Sequence, residues 1–192
     1  MASRLRAPER RALIEEAAEE VFARRGYHSA SLGEIAAAAG ISKPVIYDHF
    51  GSKRDLHLSL LEKTRDALFE RLATGAGQNP GERFRAALDA FFQYVELHPY
   101  AWRMLFRETT GNPEVVAAHV RVQAQADERI AQVLAAGGLM TMDPMMTAVL
   151  VKNATNGLAI WWGEHPEVPR AAIVEASVRC LYDGIGSDSD ER

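Results

Sequence analysis

Glycine and proline punctuate this chain at intervals that leave room for helices and for little else. Between the punctuation marks apolar residues recur three and four positions apart, and no stretch alternates in the period of two that a half-buried strand requires. Ala, Leu, Glu and Arg, all good helix formers, fill the intervals. The pattern predicts an all-α fold of about nine helices. The first covers 9–25, with Leu13, Ala17, Val21 and Phe22 on one face and Gly26 as a C-terminal stop. A short second helix covers 32–39 and ends at Gly40, and a third covers 43–50. Gly51-Ser52-Lys53 opens a longer fourth helix striped with Leu56, Leu60, Leu61, Leu68 and Leu72. The run from Thr74 to Gly81 is the clearest loop. Further helices are expected at 82–97, 100–110, 113–136, 143–164 and 167–185, with Pro99, Pro113, Pro144 and Pro166 near their starts, where proline is tolerated.

With 47% apolar residues the chain can bury a core, which argues against wholesale disorder. The net charge of −4 does not suggest nucleic acid, but its distribution does. Residues 1–54 carry nine basic and seven acidic side chains and are net +2, so the remainder is −6. A basic head on an acidic body suits a chain that meets DNA at one end. Cys180 is the sole cysteine, so an intrachain disulfide is impossible, and a reducing, cytoplasmic setting is expected. The N-terminus lacks the apolar core of a signal peptide. The most apolar stretch, 145–163, is interrupted by Lys152, Asn153 and Asn156 and reads as a buried helix, not a membrane span.

The window 31–50 carries the chemistry. Ser31 with Glu34 forms a capping box, each side chain serving an amide at the helix start. Ala36 is small where two helices must approach, Gly40 can take positive φ, and Ile46 returns an apolar side chain to the gap beside Ile35 and Ile41. Small residue, glycine turn and aliphatic at these offsets meet the mechanical needs of a helix-turn-helix. Ser42 caps the third helix, Pro44 sits in its first turn, and Lys43, Pro44, Tyr47, Asp48 and His49 form its outward face. Such a face at a helix start fits a major groove. Lys53 is placed to reach a phosphate, and the basic arm Arg4, Arg6, Arg10 and Arg11 to follow the backbone or enter a minor groove.

Three ordered runs make a resemblance specific: Phe22-Ala-Arg-Arg-Gly-Tyr27, then Ile35-Ala-Ala-Ala-Ala-Gly-Ile-Ser-Lys43, then Ile46-Tyr-Asp-His-Phe-Gly-Ser-Lys53 leading to Leu56. Over 9–65 the chain resembles the N-terminal domain of TetR-family transcriptional regulators. The resemblance implies a three-helix DNA-binding domain at 1–54 and a helical effector-binding and dimerisation domain at 55–192. It also implies a homodimer on a double-stranded, palindromic operator, and a repressor released by a small effector. Lys43, Pro44 and Tyr47 match the family's base-reading positions; Ser31, Ser42, His49 and Lys53 match its phosphate-contacting ones. Two positions depart from the pattern. Val45 stands where a Ser or Thr is common, and Gly33 where some members place a long polar side chain.

Beyond residue 70 the resemblance is one of helical organisation. The family's effector pocket lies between the fourth, fifth, seventh and eighth helices. Here it would draw on Phe91, Phe92, Val95, Met104, Leu105 and Phe106 before Pro113 and on Met140, Met142, Met145 and Met146 after it, with Trp102 nearby. Such walls suit an apolar effector, with His98, Asn153 and Asn156 as orienting polar groups. Each of these positions also fits an ordinary core role. Ala176, Cys180 and Gly184 fall four apart and form a small-residue stripe on the last helix. That stripe suits either close packing with a second copy or packing within the chain. The six histidines show no paired ligand spacing, and neither a phosphate loop nor a nucleophile elbow is present, so no metal, cofactor or enzymatic activity is expected. The alternative function is a helical interaction or ligand-carrier module that no longer reads DNA.

Overall fold

The computed structural model describes residues 6–73, 77–106, 112–136 and 143–184. Among these residues the secondary structure is helical: α1 Ala7–Ser29, α2 Leu32–Ala38, α3 Lys43–Tyr47, α4 Lys53–Ala73, α5 Pro80–Leu97, α6 Pro99–Phe106, α7 Pro113–Ala136, α8 Pro144–Gly163 and α9 Arg170–Val178, the last continued by a π-helical turn at Arg179–Asp183. The all-α expectation holds, and most boundaries fall within two or three residues of those read from the sequence.

Local chemistry accounts for the starts. Asn79 Oδ1 accepts from the Glu82 amide at 2.9 Å and Asp143 Oδ1 from the Met146 amide at 2.9 Å, with a proline in the first turn of each helix. The Ser31–Glu34 capping box is present in both directions. Gly40 takes φ +64°, the left-handed conformation that releases the chain from α2. Gly26 also takes positive φ, +72°, but it kinks α1 and does not end it, and the helix resumes to Ser29. Helix α3 is shorter than the expected 43–50. Its last turn closes on Ile46 O, which accepts from the His49 and Phe50 amides, and Phe50 is turned into the core. Helix α9 starts at Arg170 and not near 167, because Pro169 occupies its N-cap and the preceding turn is held by Trp162 Nε1 donating to Val168 O at 2.7 Å.

Helices α1 to α3 close around Ile14, Val21, Phe22, Ile35 and Ile46, and the first turns of α4 complete that core with Leu56, Leu60 and Leu61. Helix α4 then runs on to pack against α5, α6 and α7, so it belongs to both halves of the molecule. In the second half α7 packs along α8 and α5 along α9. The junction between the halves is aromatic. His57 on α4 is fully buried, with ring centroids 5.7 Å from Phe22 and 4.7 Å from Tyr27, and Phe22 stacks on Tyr100 at 6.4 Å. Ion pairing adds Arg54 to Glu114 at 3.0 Å, and Arg65 donates to Gln125 at 2.8 Å.

Candidate nucleic-acid interface and internal cavity

The helix-turn-helix sorts its side chains by face. Ile46 is fully buried and anchors α3 to α2, while Ser42, Lys43, Pro44, Tyr47 and Asp48 are exposed and His49 is half-buried. Tyr47 presents about half its surface, 49%, with the Lys43 ammonium 5.9 Å from its ring. This is a shallow ridge of one aromatic ring and one positive charge, and a groove of matching shape and negative potential receives such a ridge. The Ser42 hydroxyl, expected to cap α3, makes no capping bond to it. Ser31 differs: its hydroxyl accepts from the Glu34 amide at 3.2 Å and donates to the Glu34 carboxylate at 3.0 Å. Those hydrogen bonds hold the Glu34 carboxyl below its ordinary range.

Lys53 is placed differently from the expectation of a phosphate contact. Its ammonium donates to Tyr27 O at 2.8 Å, Ala30 O at 2.9 Å and His28 O at 3.2 Å, and lies 4.6 Å from the Tyr27 ring. An ammonium has three donors, so three carbonyls commit all of them. The geometry makes Lys53 a staple between the end of α1 and the start of α4, and burial pushes its pKa down. Arg11 acts similarly, with its guanidinium over Phe50 at 4.4 Å and donating to Ser59 Oγ at 2.8 Å. Arg6 is highly exposed and donates to the Glu9 carboxylate at 2.6 Å. Arg4 lies outside the described residues.

The second half holds a cavity of about 90 Å³ between α4, α5, α7 and α8, with Phe106 of α6 at one side. Leu68, Phe69 and Leu72 of α4 line it, facing Phe84, Leu88 and Phe91 of α5 and Ile130, Val133 and Leu134 of α7. Arg129, Lys152, Thr155 and Asn156 supply its polar wall. Of the residues expected around a pocket, Phe91, Phe106 and Asn156 are on the wall, whereas Met104 and Leu105 are buried off it. Trp102 is buried behind it, its indole Nε1 donating to Asn156 Oδ1 at 3.1 Å. Phe92 and Val95 are buried but off the wall, Phe92 packing edge-on to Trp162 at 6.0 Å. His98 is exposed at the end of α5, beside Tyr94. Met146 and Asn153 point outward on α8, and the Asn153 amide donates back to Val149 O. Met140 and Met142 lie outside the described residues. Leu68, Leu72, Phe84 and Ile130 complete the lining, and their sequence signal is membership of an ordinary apolar stripe.

On the outer face of the same half, Ala176, Cys180 and Gly184 are exposed, while α9 buries Ile173, Val174, Ser177 and Val178. Neighbouring α8 exposes Met145, Met146, Val149, Leu150 and Trp161. Among the described residues no group of three or more His, Cys, Asp or Glu could hold a metal, and no helix is long and apolar enough to cross a membrane.

Residues 14–60 match the model of bacterial regulatory proteins of the tetR family, and residues 80–183 match that of the tetracyclin repressor-like C-terminal domain. The HTH-type transcriptional activator FasR of Mycolicibacterium smegmatis is 35% identical over 188 residues, covering 95% of this chain and 86% of FasR. A TetR-like transcriptional regulator from Rhodococcus sp. RHA1 superposes with a TM-score of 0.79 at 27% identity, covering 96% of this chain and 100% of that one. The regulator FadR from Bacillus subtilis, solved in complex with stearoyl-CoA, has the same fold at 19% identity, with a TM-score of 0.79 over 90% of this chain and 98% of its own. A head whose exposed ridge is set by a helix-turn-helix, a helical body and these matches over both halves lead to one conclusion: the chain belongs to the TetR family of transcriptional regulators, which are DNA-binding proteins and not enzymes.

Proposed function

We propose that the chain is a homodimeric regulator whose hold on a palindromic operator is controlled by an effector with a long apolar segment, taken up in the α4–α5–α7–α8 cavity. One observation carries this reading. Leu68, Phe69 and Leu72 line the cavity on the same helix that begins at Lys53, immediately after the recognition helix. A cavity of 90 Å³ is smaller than the roughly 150 Å³ that accommodates a benzene-sized molecule. An apolar effector therefore has to part the helices, and α4 carries that displacement to the head. The ligand controls binding only if it prefers one separation of the two heads over the other. FadR, with stearoyl-CoA bound, supports an acyl-bearing effector as the class to try first.

The dimer reading is supported by the outward apolar residues of α8 beside the bare stripe of Ala176, Cys180 and Gly184, which this chain does not cover itself. In the DNA reading, Lys43, Pro44 and Tyr47 meet bases and Ser42, His49 and the arm carrying Arg4 and Arg6 meet the backbone. Ser31 joins them only at the cost of its cap. A repressor and an activator can share one operator-binding geometry, and FasR is named an activator. The position of the operator relative to the promoter decides between them.

The test is release. A duplex from the DNA upstream of the gene should be bound at low salt and let go on addition of an acyl effector such as decanoyl-CoA. Binding that no apolar ligand alters removes the effector half of the reading, and absence of binding removes all of it.

A further inference from the structure

The cavity lining is almost wholly apolar, and the few polar side chains at its edge share a sign. Trp102 is buried, and its indole nitrogen is a donor with no capacity to accept. Only the oxygen of the Asn156 amide can meet it, so the 3.1 Å contact fixes which way round that amide stands. The NH₂ group of Asn156 has no protein partner among the described residues. The other polar side chains on the wall add no carbonyl or carboxylate. Arg129 and Lys152 are pure donors. Thr155 is buried, and its hydroxyl is turned into its own helix at Val151 O, 2.9 Å, and Lys152 O, 3.0 Å. Asp127 is ion-paired with the Lys152 ammonium at 2.7 Å. The rest of the lining is apolar: Leu68, Leu72, Phe84, Leu88, Phe91 and Ile130 among others.

A ligand that fits this wall brings an acceptor oxygen to Asn156 and an alkyl chain to the remainder. We infer that Asn156, oriented by the indole of Trp102, reads an acyl carbonyl oxygen in the effector, so that the site selects acyl groups over alkyl chains that end in a donor. The inference rests on the cavity being the effector site. Asn156 is the contacting residue and Trp102 a positioning residue: without the indole N–H the amide is free to invert and present its oxygen instead. The acyl oxygen can come from a thioester or from a free carboxylate, which share the acceptor and differ in the group attached beyond the carbonyl.

The experiment is isothermal titration of the full-length protein with three decyl probes: decanoyl-CoA, decanoate and decylammonium. The expected result is that at least one acyl probe binds the wild-type protein at least about tenfold more tightly than decylammonium, the scale of one buried hydrogen bond gained or lost. Whether the thioester or the free acid is preferred identifies the source of the oxygen. Asn156→Leu should lose most of that preference by weakening the acyl probe alone, and Asn156→Ala replaces it should the leucine variant fail to fold. Trp102→Phe keeps an aromatic ring but removes the donor. It should shrink the acyl-to-ammonium preference while thermal unfolding shows an intact fold, an effect that loss of packing alone would not produce. If all three probes bind the wild-type protein alike, or if Asn156→Leu keeps the acyl preference, the inference is wrong while the cavity remains the effector site. If no decyl probe binds, the effector-site reading and the inference fall together.

Discussion

At the scale of single residues, the largest difference between pattern and structure is at Lys53. A lysine one turn past a recognition helix has the spacing of a phosphate contact, and spacing is all a sequence offers. The structure turns the ammonium inward to Tyr27 O, His28 O and Ala30 O, because Gly26 kinks α1 and leaves those carbonyls gathered at its end. Hydrogen bonds to a charged group contribute about 1.5–3 kcal/mol, so Lys53→Met should lower unfolding stability by roughly 2–3 kcal/mol. In denaturant titration and in DNA titration across salt concentrations, that loss should come with an unchanged salt slope of operator binding. Lys43→Ala should do the reverse, leaving stability alone and weakening operator binding. His57 carries a second prediction at this scale. Burial first, and then the charges of His119 and Lys53, push its pKa from 6.5 down to about 4. Between those values the unfolded chain holds a proton that the folded chain does not. Stability therefore falls as pH drops from about 6.5 to about 4, by on the order of 3 kcal/mol over the whole window, and levels off below it. His98 and His119, also pushed down by burial, add in the same direction. Unfolding midpoints measured across this range should fall less steeply in His57→Leu.

At the scale of elements, periodicity and punctuation were enough to read the helices, since caps and first-turn prolines are local in sequence. Helix α7 lies where its apolar spacing put it, and α5 and α8 differ by a residue or two at their starts. Where pattern and structure part, the deciding contact is distant or conformational. Pro169 defers α9, and Gly26 bends α1 without ending it. The cavity was legible as a location between four helices but not as a lining. Periodicity tells which face of a helix is buried, not which buried residues border a void, and so Phe91, Phe106 and Asn156 line it while Phe92, Val95, Met146 and Asn153 lie elsewhere. Helix α4 connects that void to the head, which yields an element-scale prediction. Val151→Phe adds bulk to the wall and should block decanoyl-CoA binding while leaving operator affinity within about twofold of wild type, since a side chain that only fills the existing void gives α4 nothing to displace. Loss of operator binding in this variant would show that the cavity wall supports the head in some way other than through a ligand.

At the scale of the whole molecule, the second half leaves uncovered an apolar face made by Met145, Met146, Val149, Leu150 and Trp161 of α8 with Ala176 and Cys180 of α9 and its π-helical turn. In the proposed homodimer a second copy covers these residues by symmetry. Ala176 is exposed in the single chain, so Ala176→Arg should leave the fold intact and shift the protein from dimer to monomer in size-exclusion chromatography with light scattering. The two heads would then no longer be linked, and operator affinity should fall by about a hundredfold or more. A variant that stays dimeric would place the interface elsewhere. The central claim is that the ridge of Lys43 and Tyr47 reads DNA, and its most direct test is fluorescence anisotropy of a labelled duplex from the upstream region of the gene, titrated at low salt. The expected result is saturable, salt-sensitive binding of two chains per duplex, weakened by about tenfold or more when Lys43 and Tyr47 are both replaced by Ala. Binding that the double replacement leaves unchanged, or no binding at all, would contradict the claim.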